Sequence, residues 1–306
     1  ASMTSSSRMG AFMQPARHLA RLVMTVLLLW MVPNTAQAAI TVKIATLAPE
    51  GSTWHKALKM MGEEWSRISG GEVKLKIYAG GVVGNETVMV RKMRIGQLHG
   101  AALTNLGLMD IEPSAQVINT PMLIRSYDEL DHVMEKMGPE FERRLETKGF
   151  KVLAWCDAGW VHLFSQYPLT QPTDVGKLKI FAWEGDPSAV QMYRAGGFKP
   201  VVIASTDMIP SLRSGLVDAF PATPLGALAM QWFALAPNML DVPWAPLMTA
   251  VVISNEVWDQ IPATLHGPLL EAARKSGAGY RQEIRRQDKK AIEVMKKYGL
   301  KVNSVD

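Results

Sequence analysis

Two segments near the start of the chain constrain its fold most strongly. Residues 40–58 read ITVKIATLAPEGSTWHKAL, and residues 72–86 read EVKLKIYAGGVVGNE. Each begins with a run typical of a β-strand, and the stretch between them has apolar residues at helical spacing. This order of strand, loop, helix, strand and glycine turn predicts an α/β domain in which ligands bind at the carboxyl ends of the strands.

Strands and helices continue to alternate along the rest of the chain. Further strand patterns occur at residues 100–104, 151–155, 161–165, 178–183, 200–203, 216–220 and 248–254. The last of these is expected to return to the first unit, so that two chain segments cross between two lobes as a hinge. We therefore predict lobe I over residues 39–157 and 248–275, and lobe II with long C-terminal helices over residues 158–247 and 276–306.

The first 38 residues have the pattern of an export signal. Arg8, Arg17 and Arg21 form a positive region before an apolar run at residues 22–32, and Ala36-Gln37-Ala38 follows as the small-residue cleavage site. The apolar run is shorter than the roughly 20 residues that a membrane-spanning helix needs. We therefore expect cleavage after Ala38 and release into the periplasm, with an uncleaved membrane anchor as the alternative.

Removal of that segment changes the meaning of the net charge. The whole chain has a formal charge of +5, but the segment holds three arginines and no acid, which leaves +2. A charge this small predicts no nucleic-acid-binding surface. Cys156 is the only cysteine, so no intramolecular disulfide can form.

The motifs of several enzyme classes are missing from the sequence. There is no G-x-S-x-G elbow, no phosphate loop and no H-E-x-x-H motif, and GGVVG at residues 80–84 is not a dinucleotide fingerprint. The histidines are widely scattered, and one cysteine cannot form a thiolate cluster. We expect no enzyme activity and no cofactor, and the spacing gives no evidence of a metal site. A secreted hydrolase that uses carboxylates such as Glu184 and Asp186 is a minor alternative.

Five motifs in a fixed order resemble one family of transport proteins. They are TLAPEGSTWHKAL, YAGGVVGNE, LKIFAWEGDP, STDMIPSLRSGLVDAFPATP and ISNEVWDQIP. With them the chain is similar to the solute-binding proteins of tripartite ATP-independent periplasmic (TRAP) transporters, the DctP-type family. The resemblance implies a two-lobed periplasmic-binding-protein fold of the type II clamp kind that closes on a small organic acid.

The same resemblance implies the partners of the chain. The receptor would deliver its ligand to the small and large membrane subunits of a TRAP permease and would contact the inner membrane only through them. A ligand-sensing periplasmic protein shares the fold and is the alternative function.

One position departs from the family pattern. The resemblance implies an arginine in the strand before the second-lobe helix, where it pairs with the ligand carboxylate, but this strand reads Lys179-Ile180-Phe181. A phenyl ring cannot replace the planar fork of donors of a guanidinium group. The chain is therefore predicted to be an atypical member, whose ligand is either not a simple carboxylate or is held by other donors.

Aromatic residues cluster near the predicted strand ends. Phe181 and Trp183 share one face of their strand, because side chains alternate with a period of two. Flat apolar side chains stack on rings or cover aliphatic skeletons, so we predict a ligand with a hydrophobic or aromatic body. For any single ring, burial in the core is the alternative. The full predicted set is Trp155, Trp160, Phe181, Trp183 and Phe220.

Polar candidates come from the same loops and strand ends. Thr104 and Asn105 are favoured, because a hydroxyl and an amide can bond a ligand without burying a charge. For Asp207, stabilisation of its own helix through the dipole is the alternative. The remaining predicted ligand-binding residues are Trp54, Asp157, Glu184 and Thr223.

Overall fold

The strands form two separate sheets within residues 39–304, the part of the chain that the structure, a computed structural model, describes. The predicted export signal and its cleavage site lie outside these residues. The strands are β1 (Ile40–Thr46), β2 (Val73–Tyr78), β3 (Gly100–Thr104), β4 (Phe150–Trp160), β5 (His162–Ser165), β6 (Lys179–Trp183), β7 (Lys199–Ile203), β8 (Ala219–Ala222), β9 (Asn238–Leu240), β10 (Pro246–Ser254) and β11 (Lys301–Asn303).

The helices connect these strands and cover the sheets. They are α1 (Thr53–Ile68), α2 (Glu86–Arg94), α3 (Asn105–Ile111), α4 (Tyr127–Thr147), α5 (Pro187–Ala195), α6 (Met208–Ser214), α7 (Pro224–Ala229), α8 (Asn255–Gln260) and α9 (Ala263–Lys297). No helix within residues 39–304 is both long and apolar enough to cross a membrane.

The strand order confirms the predicted two-lobed α/β fold. The first sheet has the order β2-β1-β3-β10-β4, with β1 parallel to β2 and β3, and β10 antiparallel to β3 and β4. The second has the order β11-β9-β5-β8-β6-β7, with β6 parallel to both of its neighbours. The return of the chain to the first sheet through β10 was expected from its apolar pattern.

Two adjacent chain segments form the hinge between the sheets. Val161 joins β4 to β5, and residues 241–245 lead from β9 back to β10. The Val161 N–H donates to the Ala245 carbonyl at 2.8 Å, and the Trp244 N–H donates to the Val161 carbonyl at 2.8 Å. The two crossing segments are therefore hydrogen-bonded to each other as an antiparallel pair.

The C-terminal region is one helix of 35 residues, α9, where the sequence predicted several. Leu269 and Ala273 near its start pack in a core on the first sheet. Ile284, Ala291 and Met295 near its end pack in the core of the second sheet. The predicted lobe boundary between residues 275 and 276 falls inside this continuous helix, and the exact lobe limits stay a prediction.

Local capping explains where several helices begin. The Ser52 side chain accepts a hydrogen bond from the His55 N–H, so Ser52 is the N-cap of α1. At α6, Ser205–Asp207 form a 3-10 turn, and Asp207 occupies the N-cap without a side-chain hydrogen bond. Helices α3 and α7, of seven and six residues, are too short to show a helical period in the sequence.

Candidate functional site

A cavity of about 830 Å3 is lined by residues of both sheets. Thr46 ends β1 and Thr104 ends β3 at its surface, and Ala158 of β4 lies beside them. From the second sheet, Trp183 at the end of β6 and Ala222 at the end of β8 face the same space. The carboxyl ends of these strands therefore meet at the cavity, as predicted for this fold.

Aromatic and methionine side chains make the lining largely apolar. Trp54 and Trp183 come from the predicted set. Trp54 belongs to α1 of the first lobe and Trp183 to β6 of the second, and both pack against the core of the second sheet. The others were not predicted. Trp232 begins a three-residue 3-10 turn and Trp244 lies in the segment between β9 and β10, so neither shows periodicity, and the rest looked like ordinary helix-face residues. The lining residues of this kind are Trp54, Phe141, Trp183, Tyr193, Trp232, Trp244, Met137, Met192 and Met230.

Phe181 and Phe220 lie behind this wall instead of facing the cavity. Both residues are fully buried, with 0% of their surface exposed. The ring centroids of Phe181 and Trp183 are 5.0 Å apart, and Phe220 lies 5.4 Å from Trp232, each pair edge to face. This corrects the expectation that both rings contact the ligand, because they support the tryptophans that do line the cavity.

Trp155 and Trp160 are also placed away from the cavity, which corrects a second pair. The Trp155 indole N–H donates to Glu142 Oε1 at 3.0 Å. The Trp160 ring lies 5.8 Å from the Tyr127 ring. Glu142 and Tyr127 belong to α4, so both tryptophans hold that helix against β4.

Asp157 belongs to an ion-pair network, which corrects its predicted role in ligand binding. Arg285 Nη2 lies 2.7 Å from Asp157 Oδ2 and 2.6 Å from Asp131 Oδ1. The Arg285 guanidinium also lies 4.1 Å from the centroid of the Tyr127 ring. The network joins β4, α4 and α9, and its buried carboxylate is paired within the protein.

Glu184 lies at a direct contact between the lobes. Asn85 Nδ2, just before α2, donates to Glu184 Oε2 at 2.9 Å. Gly185 has a φ of +93°, and a Cβ there would lie 2.8 Å from Thr87 Oγ1. The lobes are therefore closed against each other at this edge, so Glu184 is a bridge between them and not part of the lining.

Asp207 and Lys179 do not line the cavity. Asp207 is exposed at the start of α6 and does not line the cavity, which corrects its prediction. The Lys179 ammonium donates to the Gly215 carbonyl. Neither residue supplies a charge to the cavity.

Thr104 and Asn105 line the cavity above a buried carboxylate, Glu86. Glu86 accepts hydrogen bonds from the Thr104 N–H at 2.9 Å, the Thr104 hydroxyl at 2.8 Å and the Gly107 N–H at 2.8 Å. Burial raises the pKa of Glu86, and these hydrogen bonds partly offset the rise. Because Thr104 donates its proton to Glu86, its oxygen can only accept a hydrogen bond from a ligand.

Two buried polar atoms at the cavity have no partner among the described residues. They are the Trp54 indole N–H, a donor, and Asn119 Oδ1, an acceptor. Buried polar groups are normally hydrogen-bonded, so each is a suitable point of contact for a ligand. Thr223 also lines the cavity, but its hydroxyl accepts from the Gly226 N–H at 3.1 Å and caps α7.

The charges of the lining are mostly negative. Glu86, Glu140 and Asp186 are acids, and Arg144 is the only cation among the described residues that line the cavity. Asp186 accepts from the Ala189 N–H at 2.9 Å at the start of α5. Within residues 39–304 no three histidine, cysteine or acidic side chains are arranged to hold a metal ion.

A buried carboxyl group connects α9 to α7 and to the end of β4. Asp288 accepts from the Leu225 N–H at 2.9 Å and from the Trp160 N–H at 3.4 Å. Gly159 permits this approach, since a Cβ there would lie 2.4 Å from the Asp288 carboxyl carbon. Burial raises the pKa of Asp288 to about 7, against the effect of the two hydrogen bonds.

A protein-family model matches residues 44–306 of the chain, and its description is bacterial extracellular solute-binding protein, family 7, DctP. The chain belongs to this family. It is thus a solute-binding protein of the TRAP type and not an enzyme, as the five sequence motifs predicted. Proteins of this family include periplasmic binding proteins.

Individual relatives of this family 7 protein are distant in sequence and close in fold. The 2,3-diketo-L-gulonate-binding periplasmic protein YiaO of Escherichia coli K12 is 23% identical over 88% of this chain and 82% of its own length. A TRAP solute-binding protein of Sulfitobacter sp. NAS-14.1, solved with β-D-galacturonate, has a TM-score of 0.82 at 20% identity, covering 87% of this chain and 89% of its own. One of Desulfovibrio salexigens, solved with orotic acid, has a TM-score of 0.81 at 17% identity, covering 87% and 86%.

Proposed function

We propose that this family 7 protein is the periplasmic receptor of a TRAP transporter for an organic acid with a hydrophobic or aromatic body. The cavity between the sheets, with tryptophans from both lobes, is the observation that carries the proposal. The relatives named above bind 2,3-diketo-L-gulonate, β-D-galacturonate and orotic acid, which are all organic acids. An apolar lining favours a less polar acid than the first two.

Five of the predicted residues are suited to contact this ligand. Trp54 and Trp183 would cover its apolar body from opposite lobes. The Trp54 indole N–H, which bonds no described residue, would donate a hydrogen bond to the ligand, and the Asn105 amide at the cavity surface could donate or accept one. Thr104 would offer only acceptor capacity, because its hydroxyl donates to Glu86. The Thr223 hydroxyl accepts from the Gly226 N–H and could still donate its proton to the ligand.

Delivery would follow from closure of the two lobes. Cleavage after Ala38 would release the receptor into the periplasm, where binding would favour the closed state held by Asn85 and Glu184. The closed receptor would then dock on the small and large membrane subunits of the permease. Rotation would occur between the predicted lobes, residues 39–157 with 248–275 and residues 158–247 with 276–306.

Native mass spectrometry of the protein purified from its periplasm would test the proposal, together with a thermal-shift panel of carboxylic acids. We expect aromatic or long aliphatic acids to raise the melting temperature, because ligand that binds only the native state stabilises it. Short dicarboxylates such as succinate should raise it little, because the strand that usually supplies arginine has Phe181. Stabilisation by sugars or amines alone would contradict the proposal.

A further inference from the structure

The cavity of this receptor raises a problem of charge for an acidic ligand. In its interior, the acids Glu86 and Asp186 already accept hydrogen bonds from backbone N–H groups, and no described lining residue there is a cation. Burying a carboxylate without a positive partner is costly, and the two nearby acids increase that cost. The acid group of the ligand therefore needs a partner outside the apolar interior.

Arg144 near the end of α4 supplies such a partner. Its Nε donates to Glu140 Oε1 at 2.7 Å, and its Nη1 donates to Ser114 Oγ at 3.1 Å. Its Nη2 makes no hydrogen bond within the described chain. The two bonds fix the plane of the guanidinium group, and the N–H groups of Nη2 remain able to donate to an acceptor on the ligand.

The charge around Arg144 favours an anion. Glu140 is shared with Arg143, whose Nε and Nη2 each lie 2.8 Å from a Glu140 oxygen. Two cations thus face Glu140. The Glu112 carboxylate, which accepts from the Ser114 hydroxyl at 2.7 Å, also interacts with Arg144 and with Lys148, so three cations and two carboxylates leave one positive charge at this place. The side chain of Arg144 is 44% exposed, so a carboxylate here would keep part of its hydration.

We propose that Arg144 binds the carboxylate of the ligand at the mouth of the cavity, while the apolar body of the ligand extends inward between the tryptophans. The ligand would then be an amphipathic monocarboxylate, with its acid group at one end and a ring or alkyl chain at the other. A cavity of about 830 Å3 falls in the range of about 300 to 1,000 Å3 that holds ligands of drug size. This inference rests on the proposed function and assigns its specificity to one residue.

The test compares acids with their neutral amides on two matched variants. The probes are phenylacetate, phenylbutyrate and phenylvalerate, each with its amide, and affinities are measured by calorimetry. The wild-type protein should bind the best acid about ten-fold or more tighter than its amide, as expected for a charge-assisted pair. Arg144→Gln should remove this preference by weakening the acid alone, and high salt should do the same in the wild type.

Arg143→Gln is the control, because Arg143 bonds the same Glu140 and does not line the cavity. It should keep the wild-type preference for the acid. If Arg144→Gln keeps the preference, or weakens acid and amide equally, the inference is overturned while the proposed function survives. If the wild-type protein binds none of these acids, the inference falls, and if the whole acid panel fails, the proposed function falls with it.

Discussion

A Cβ atom on Gly185 would lie 2.8 Å from the Thr87 hydroxyl oxygen, so the two lobes approach as far as a glycine backbone permits. We therefore expect Gly185→Ala to disfavour the closed state and to weaken binding of the best panel acid. A loss of about ten-fold corresponds to about 1.4 kcal/mol. Calorimetry on the purified variant measures this loss.

The control for Gly185 separates contact from backbone strain. Gly197 has a φ of +82°, and a Cβ there would have no neighbour within 4 Å, so Gly197→Ala carries the strain alone. Adding Thr87→Ala to Gly185→Ala should restore part of the affinity, because the obstructing oxygen is gone. Equal losses in the Gly185 and Gly197 variants would show that lobe contact is not the cause.

Trp183 is the predicted aromatic residue whose removal should affect binding most directly. Trp183→Ala takes away one wall of the cavity, and we expect a loss of about 2 kcal/mol or more in the free energy of binding. His132→Ala, at an exposed position of α4, should change nothing. Unfolding curves of both variants check that the core around Phe181 stays intact. An unchanged affinity of the Trp183→Ala variant would show that Trp183 does not contact the ligand.

Phe181 stands where the family pattern has arginine, but restoring that arginine should not restore an anion site. The side chain is fully buried among apolar residues, so Phe181→Arg would leave an unpaired charge in the core. We expect a loss of roughly 3 to 5 kcal/mol in the free energy of unfolding. Chemical denaturation measures it, with Phe181→Leu as the uncharged comparison. A stable variant that gains affinity for succinate would contradict this view.

Asp288 should make the stability of the protein depend on pH. Its pKa is raised from about 3.8 to about 7 in the native state, so the native state holds a proton that the unfolded chain has released. The free energy of unfolding should therefore fall as pH rises from about 4 to 7, by up to about 4 kcal/mol from this group. Denaturation at a series of pH values measures the slope.

Asp288→Asn should flatten that slope, since an amide does not titrate. The Leu225 and Trp160 N–H groups bond different oxygens of Asp288, so the single amide oxygen can accept only one of them, and the variant should be less stable by a similar amount at every pH. Asp259→Asn, at an exposed position of α8, should leave the slope as in the wild type. A slope that persists in the Asp288 variant would assign the pH dependence to another group.

The sequence predicted the fold better than the site. Periodicity located the strands, and it correctly placed Phe181 and Trp183 on one face. It could not tell that Trp232, from a 3-10 turn about 50 residues further on, packs in the same cluster and leaves Phe181 fully buried. Depth within a lobe depends on such non-local neighbours, which no spacing rule reveals.

The same limit explains the polar residues. Asp157 looked available at a strand end, but its partner Arg285 lies 128 residues later on α9. Glu86 was visible only as an acid after a glycine turn, although it holds Thr104 in place. Ligand contacts of the five predicted residues that do line the cavity stay predictions.

Helix α9 has a consequence for how the protein folds. One unbroken helix supplies Leu269 to the interior of the first lobe and Met295 to that of the second. Unfolding of either lobe would expose the apolar side chains of its part of α9 and would destabilise the same helix where it packs in the other lobe. The receptor should therefore unfold in a single cooperative step although it is built as two halves.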